Sequence, residues 1–213
     1  MKVTIIYDNE VYKEGLEADW GFSALIEVEN SPRILFDTGA DPRILLSNMK
    51  KLDINPDSIE EIFISHAHYD HTGGLLGFLE INNDVTLYIP PSFRGSFKAR
   101  DIITVESSRE VHKNITTTGE IDGVEQSLCA RTDKGIVIIV GCSHPGIDHI
   151  LTVSRRFGNI YGIIGGLHGF RDFELFSDFG LICATHCTQH KKEIEDLYPE
   201  TFTRGGAGRI ITI

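Results

Sequence analysis

Several apolar runs of strand length in this chain give way, within a few residues, to histidine, and few folds can use such a pattern. Residues 59–64 (Ile-Glu-Glu-Ile-Phe-Ile) precede His66, His68 and His71, and residues 135–141 (Gly-Ile-Val-Ile-Ile-Val-Gly) precede His144. Residues 160–164 are followed by Gly-Gly-Leu-His168-Gly, and residues 181–185 run directly into His186. In layered α/β proteins the loops at strand ends carry the chemistry, because the sheet behind them is rigid. A lone histidine at a strand end is more often a structural hydrogen-bonding residue. Their repetition at the same place points to a site along one edge of the sheets.

The densest of these segments, residues 65–74, reads Ser-His-Ala-His-Tyr-Asp-His-Thr-Gly-Gly. It holds three of the chain's nine histidines, with His66, His68, Asp70 and His71 inside six positions. Imidazole and carboxylate are ligands for zinc and related divalent ions. On an extended chain leaving a strand, His66 and His68 point the same way, since side chains alternate with period two. Asp70 and His71 lie past the bend and are free to face a second ion.

The remaining pattern predicts strands over residues 2–7, 23–29, 33–36, 85–89, 102–105, 115–118, 126–131 and 209–213. It predicts helices over 43–52, 75–79, 147–157, 172–179 and 191–198, with Pro42 tolerated in the first turn of the first. Strands alternating with helices, and strands pairing early in each half, imply a layered α/β protein with mixed sheets. No linker or repeat divides residues 1–213, so a single domain is expected. The net charge of −11 argues against a nucleic-acid surface, which needs a basic footprint. The four cysteines show no secreted disulfide spacing, the opening Met-Lys-Val-Thr-Ile-Ile reads as a strand rather than a signal peptide, and no apolar stretch approaches membrane-spanning length. These features predict a cytoplasmic protein with reduced thiols, acting on a small-molecule substrate away from membranes. Nothing in the pattern sets an oligomeric state.

The His-x-His-x-Asp-His segment, with Asp37-Thr38-Gly39 upstream and single histidines after successive downstream strands, resembles the metallo-β-lactamase superfamily. Gly-Cys142-Ser-His144-Pro-Gly, Gly-Gly-Leu-His168-Gly, Thr-His186-Cys-Thr and residues 19–27 are most similar to its dihydropterin ribofuranosyl-aminobenzene phosphate synthase-like branch. The resemblance implies a four-layer αββα sandwich with a dinuclear metal site on one edge. It implies that His66, His68 and His144 hold one ion, that Asp70, His71 and His186 hold the other, and that Asp70 also orients water. It further implies that His168 faces the substrate as a proton donor or phosphate contact. Cys142 stands where most members carry a bridging aspartate. Either its thiolate bridges or solvent alone does, and solvent is the expectation, because a buried cysteine usually behaves as a small hydrophobe.

Such a site supports hydrolysis of an ester, lactone, amide or phosphoester, with zinc the best match to the ligands and manganese or iron compatible with them. The branch adds a small anionic or phosphorylated, pterin-related substrate. Residues 90–100, the chain's one basic-aromatic stretch, are placed either to grip such an anion or to serve as a surface connection. Trp20 and Phe22 are expected at an apolar lip or in the core, and Cys183 and Cys187 as packing residues. Three competing functions remain at this level. A metal-dependent nuclease on the same fold conflicts with the acidic balance. A non-catalytic metal protein conflicts with open coordination. Phe-Asp37-Thr38-Gly39-Ala resembles the catalytic turn of a homodimeric aspartic protease, which needs two facing carboxylates and leaves the histidines unexplained.

Overall fold

The computed structural model describes all 213 residues. The first sheet contains β1 (Lys2–Tyr7), β2 (Ser23–Glu27), β3 (Ile34–Phe36), β4 (Glu61–Phe63), β5 (Thr86–Ile89), β6 (Asp101–Thr104) and the last strand, β13 (Ile210–Thr212). The second contains β7 (Arg109–His112), β8 (Ile115–Thr117), β9 (Leu128–Thr132), β10 (Gly135–Val140), β11 (Ile160–Gly166) and β12 (Leu181–Thr185). Spatial order is β13-β1-β2-β3-β4-β5-β6 in the first and β12-β11-β10-β9-β8-β7 in the second. Both sheets are mixed. Strands β3 to β6 run parallel beside antiparallel neighbours, and β10 to β12 run parallel beside the antiparallel β7 to β10.

Period-two alternation explains the layering. Along β10, Val137 and Ile139 enter the core between the sheets, whereas Ile136, Ile138 and Val140 enter a second core under helix α4 (Ile147–Ser154). On the first sheet, Ile34 and Phe36 face the other sheet, while Leu35 packs with Leu45 and Met49 of helix α1 (Pro42–Lys51) and Phe78 of helix α3 (Leu75–Ile81). Three apolar layers therefore alternate with two sheets and two helical faces, which is the expected αββα sandwich. Helix α1 begins as its sequence demands. Asp41 caps it by accepting a 2.8 Å hydrogen bond from the Arg43 amide, and Pro42 occupies the first turn, where no amide donor is needed.

Most predicted elements stand within two or three residues of their observed limits. The helix expected over 172–179 is only a 3-10 turn, Phe173–Phe176, and β7 was not predicted at all. Inside the histidine loop the chain forms one helical turn, α2 (Tyr69–Thr72), which carries Asp70 and His71. No helix is long and apolar enough to cross a membrane.

The loop of residues 65–74 is clamped to the loop after β3. The Thr38 amide and hydroxyl both donate to the His71 carbonyl (2.8 and 3.0 Å), and the Gly74 amide donates to Gly39 (3.1 Å). At Gly74 a Cβ would press into the Thr38 carbonyl oxygen, and at Gly73 into that of Ala40. Backbone cannot yield as a side-chain tip does, so Gly74→Ala should destabilise the fold by about 1–3 kcal/mol, the usual range for forced overpacking. Urea unfolding checks this, and a change under about 0.5 kcal/mol, typical of an unconstrained surface site, would contradict the clamp.

Candidate metal centre

Asp37, Ser143, His168 and His186 all have positive φ (54°, 61°, 48° and 46°), and each lies within three residues after a strand. Left-handed backbone in non-glycine residues costs about 1–3 kcal/mol and persists where the surroundings over-determine it. Here it turns the chain sharply at the ends of β3, β10, β11 and β12, bringing side chains from both sheets to one edge.

Two ligand sets converge there. One nitrogen, sulfur or oxygen from each of Asp70, His71, Cys142 and His186 lies within 4.8 Å of the others, and His66, Cys142 and His144 meet the same limit. Cys142 belongs to both sets, its sulfur 3.2 Å from His71 Nε2. His68 is exposed. Its ring stands 4.8 Å from that of His66 and 4.7 Å from that of His144, yet its ligand atoms are outside the tight groups. His168 is exposed at the rim, 4.8 Å from the His144 ring, and it forms a third group with Cys142 and Cys187. Cys187 therefore borders the site, whereas Cys183 packs in the core between the sheets, as expected.

Each converging histidine has its Nδ1 occupied. His66 Nδ1 is 2.9 Å from Ser65 Oγ, which donates onward to Asp37 Oδ2 (2.7 Å). His71 Nδ1 is 2.7 Å from Asp37 Oδ2, His186 Nδ1 is 2.9 Å from Asn9 Oδ1, and His144 Nδ1 is 2.8 Å from Glu125 Oε2. His66 Nε2 is buried without a hydrogen-bond partner, and His186 Nε2, also buried, faces only Asp70 Oδ2 at 3.2 Å. An orphaned buried acceptor is costly unless something else fills its place. A divalent cation does so, and this donor set of imidazole, carboxylate and thiol fits one.

Burial, reinforced by the neighbouring His71, pushes His66 down to about 3, and burial with His186 nearby does the same to His71. Both rings are thus neutral at physiological pH, the state a metal ligand needs. Burial raises the Asp37 carboxyl to about 7, opposed by His66 and by the Ser65 hydrogen bonds. Burial acts to raise Asp70 too, but the His186 ring 3.2 Å away, with His71 beside it, holds it well below the ordinary range. The Cys187 sulfur and burial push the Cys142 thiol up, so it keeps its proton until a cation offsets the charge. Burial also lowers His168.

The structure corrects several expectations. Asp37 is fully buried against Ser65 and His71, so it cannot face a second copy's aspartate as protease chemistry requires. Trp20 sits at the lip, more than half exposed, donating 2.9 Å to Asp70 Oδ2 beside the His186 ring, whereas Phe22 is core. In the basic-aromatic stretch, Arg100 is tied to Asp84 and Thr86, and Phe93 stacks on Phe97 over the helical face of the first sheet. Arg94 and Lys98 of the same segment are exposed. Sequence reasoning also missed Glu125 and Asn9, which no spacing rule marks. Only the partnership of each with a histidine reveals them.

A sequence profile described as the metallo-beta-lactamase superfamily matches residues 20–127. The 7,8-dihydropterin-6-methyl-4-(beta-D-ribofuranosyl)-aminobenzene-5'-phosphate synthase of Methanocaldococcus jannaschii is 31% identical, over 98% of this chain and 95% of that protein. The crystal structure of Tm1679, described as a metal-dependent hydrolase of the beta-lactamase superfamily, superposes with a TM-score of 0.80 at 25% identity, covering 100% and 99% of the two chains. Human tRNase Z, short form, shares the fold at TM-score 0.62 and 17% identity, covering 100% and 99%. With sequence, architecture and strand-end site in agreement, the chain belongs to the metallo-beta-lactamase superfamily.

Proposed function

We propose that this protein is a metal-dependent hydrolase with a dinuclear centre that activates water against a small anionic substrate. The observation that carries this is the pair of ligand sets meeting at Cys142, with the buried Nε2 atom of His66 unpartnered. His66, His68 and His144 would hold one divalent ion, and Asp70, His71 and His186 the other, with zinc best suited to these donors. His68 is exposed, its ring beside those of both partners. When bound, such ions acidify water toward neutral pH and stabilise developing negative charge.

The chain's own residues supply the rest. Asp70, held by the Trp20 indole, orients the attacking water, and His168 at the rim stands ready to protonate a leaving oxygen or to contact a phosphate. Cys142, common to both sets, would add its thiolate to the residues that hold the ions, where the sequence alone favours solvent. The Methanocaldococcus jannaschii relative is named as a synthase of a phosphorylated, pterin-bearing molecule, which supports a site that accommodates compounds of that class. Residues 1–213 would act as one catalytic domain in the cytoplasm. The acidic balance weighs against nucleic acid.

Metal analysis of the zinc-replete protein tests this, together with assays on a panel of small phosphoesters, lactones and carboxylic esters before and after chelation. Two ions per chain are expected, with activity lost on chelation and restored by zinc. A thiolate-to-metal absorption band is expected in the cobalt(II) form. Fewer than two ions under replete conditions would overturn the dinuclear reading.

A further inference from the structure

Glu125 is 1% exposed and has no lysine or arginine among its ion pairs. Its carboxylate instead accepts four consecutive backbone amides at the end of β10. Oε1 takes those of Gly141, Cys142 and Ser143 (3.0, 3.0 and 3.1 Å), and Oε2 takes that of His144 (3.0 Å). Oε2 also lies 2.8 Å from His144 Nδ1, and His66 Nδ1 is 3.9 Å away. The left-handed Ser143, whose hydroxyl donates to Gly166 (2.7 Å), bends the segment so that these amides converge as an anion-binding nest. An uncharged carboxylic acid would turn a donor toward one of these donors, so the nest demands the ionised form. An ionised carboxylate only accepts, and the contact with His144 therefore requires the proton to sit on Nδ1.

We infer that Glu125 is a positioning residue that makes His144 a metal ligand: it holds the ring's proton on Nδ1, frees Nε2 for the ion, and fixes the loop that presents Cys142 to both sets. The inference rests on the dinuclear reading for the identity of the ligand, but the state of the ring is testable without any metal. The residue that performs this task lies in the segment before β9. That segment is bonded to the end of β4 in the other sheet through the Gln126 amide and side chain (2.9 Å to Ser65 and 2.8 Å to Ile64). One carboxylate thus sets a ligand from the second sheet in register with those from the first.

Glu125→Gln is nearly isosteric but offers an NH2 group where one oxygen was. With the amide nitrogen facing His144, it donates to Nδ1 and drives the proton to Nε2, where it blocks ligation. Long-range 1H–15N spectra of the metal-free protein at pH 8 read the tautomer, with the His144 signals identified by their loss in His144→Ala. The Nδ1–H form is expected in the wild type and the Nε2–H form in Glu125→Gln. Zinc titration should show about a 10–100-fold weaker first ion in Glu125→Gln, the effect usual for removing a ligand's hydrogen-bond partner. It should show no further loss when Glu125→Gln is added to His144→Ala. A wild-type His144 in the Nε2–H form would overturn the inference even if the variant failed to fold. So would a folded Glu125→Gln variant with wild-type tautomer and affinity. If His144→Ala instead binds zinc like the wild type, the assignment of His144 as a ligand fails while the tautomer result still judges Glu125.

Discussion

Asp70→Ala is expected to lower turnover of the best substrate found by about 10²–10³-fold or more, a loss comparable to removing a key electrostatic group from an active site. Asp70 is the sole carboxylate in either tight ligand set, and its Oδ2 is the point on which Trp20 (2.9 Å), His186 (3.2 Å) and His71 (3.8 Å) converge. Alanine removes the negative charge that offsets a cation and also the acceptor that holds the indole. The fold should survive, because the structural contact of this residue is made by its backbone, whose carbonyl accepts from the Phe22 amide (3.1 Å). Two measurements separate these effects. Metal content should fall toward one ion per chain, while the urea midpoint should change little. An Asp70→Ala protein with wild-type turnover and two bound ions would remove this residue from the centre.

The largest expected loss of stability falls on Phe36, one residue before Asp37. Its ring is fully buried between the sheets, stacked on Phe63 (5.6 Å between centroids) and edge-on to Phe22 (6.2 Å). Phe36→Ala should cost about 3–5 kcal/mol, combining the lost transfer energy of the ring with the cavity left behind. That cost is a large share of a typical domain's stability of about 5–15 kcal/mol, so the variant should unfold at much lower urea. The cavity would also lie directly under Asp37, the partner of His71, so weaker zinc binding should accompany the loss of stability. A measured cost below about 1 kcal/mol would show that the sheets close over the gap.

Much of this was legible in the chain. The apolar runs that end in histidine were readable because burial on both faces leaves an uninterrupted hydrophobic signature, as in β10. His66, Asp70, His71, His144 and His186 all reach the same edge because each follows such a run. Strand β7 was not legible. Arg109, Glu110 and His112 surround a single apolar residue on an edge strand, and pairing with β8 rather than hydrophobicity makes it a strand. Asp37 was visible as part of a turn, but its task was not. A carboxylate exposed in a protease turn and one buried under a histidine read identically in one dimension. The basic-aromatic stretch left two readings open for a similar reason, since composition does not say that Asp84 already holds Arg100.

The sequence by itself determined the layered α/β class and the identity of most candidate ligands, because periodicity and spacing are local properties that survive in one dimension. The tertiary structure alone decided which atoms share a site and in what state. Cys142 became common to both ligand sets only when β10 was laid beside the loop after β4. Glu125 acquired a role only when four amides and a ring from 16 to 19 residues away closed around its carboxylate. Hydrogen-bond direction and burial depend on three-dimensional neighbours, and these set the charge and tautomer that a metal centre requires.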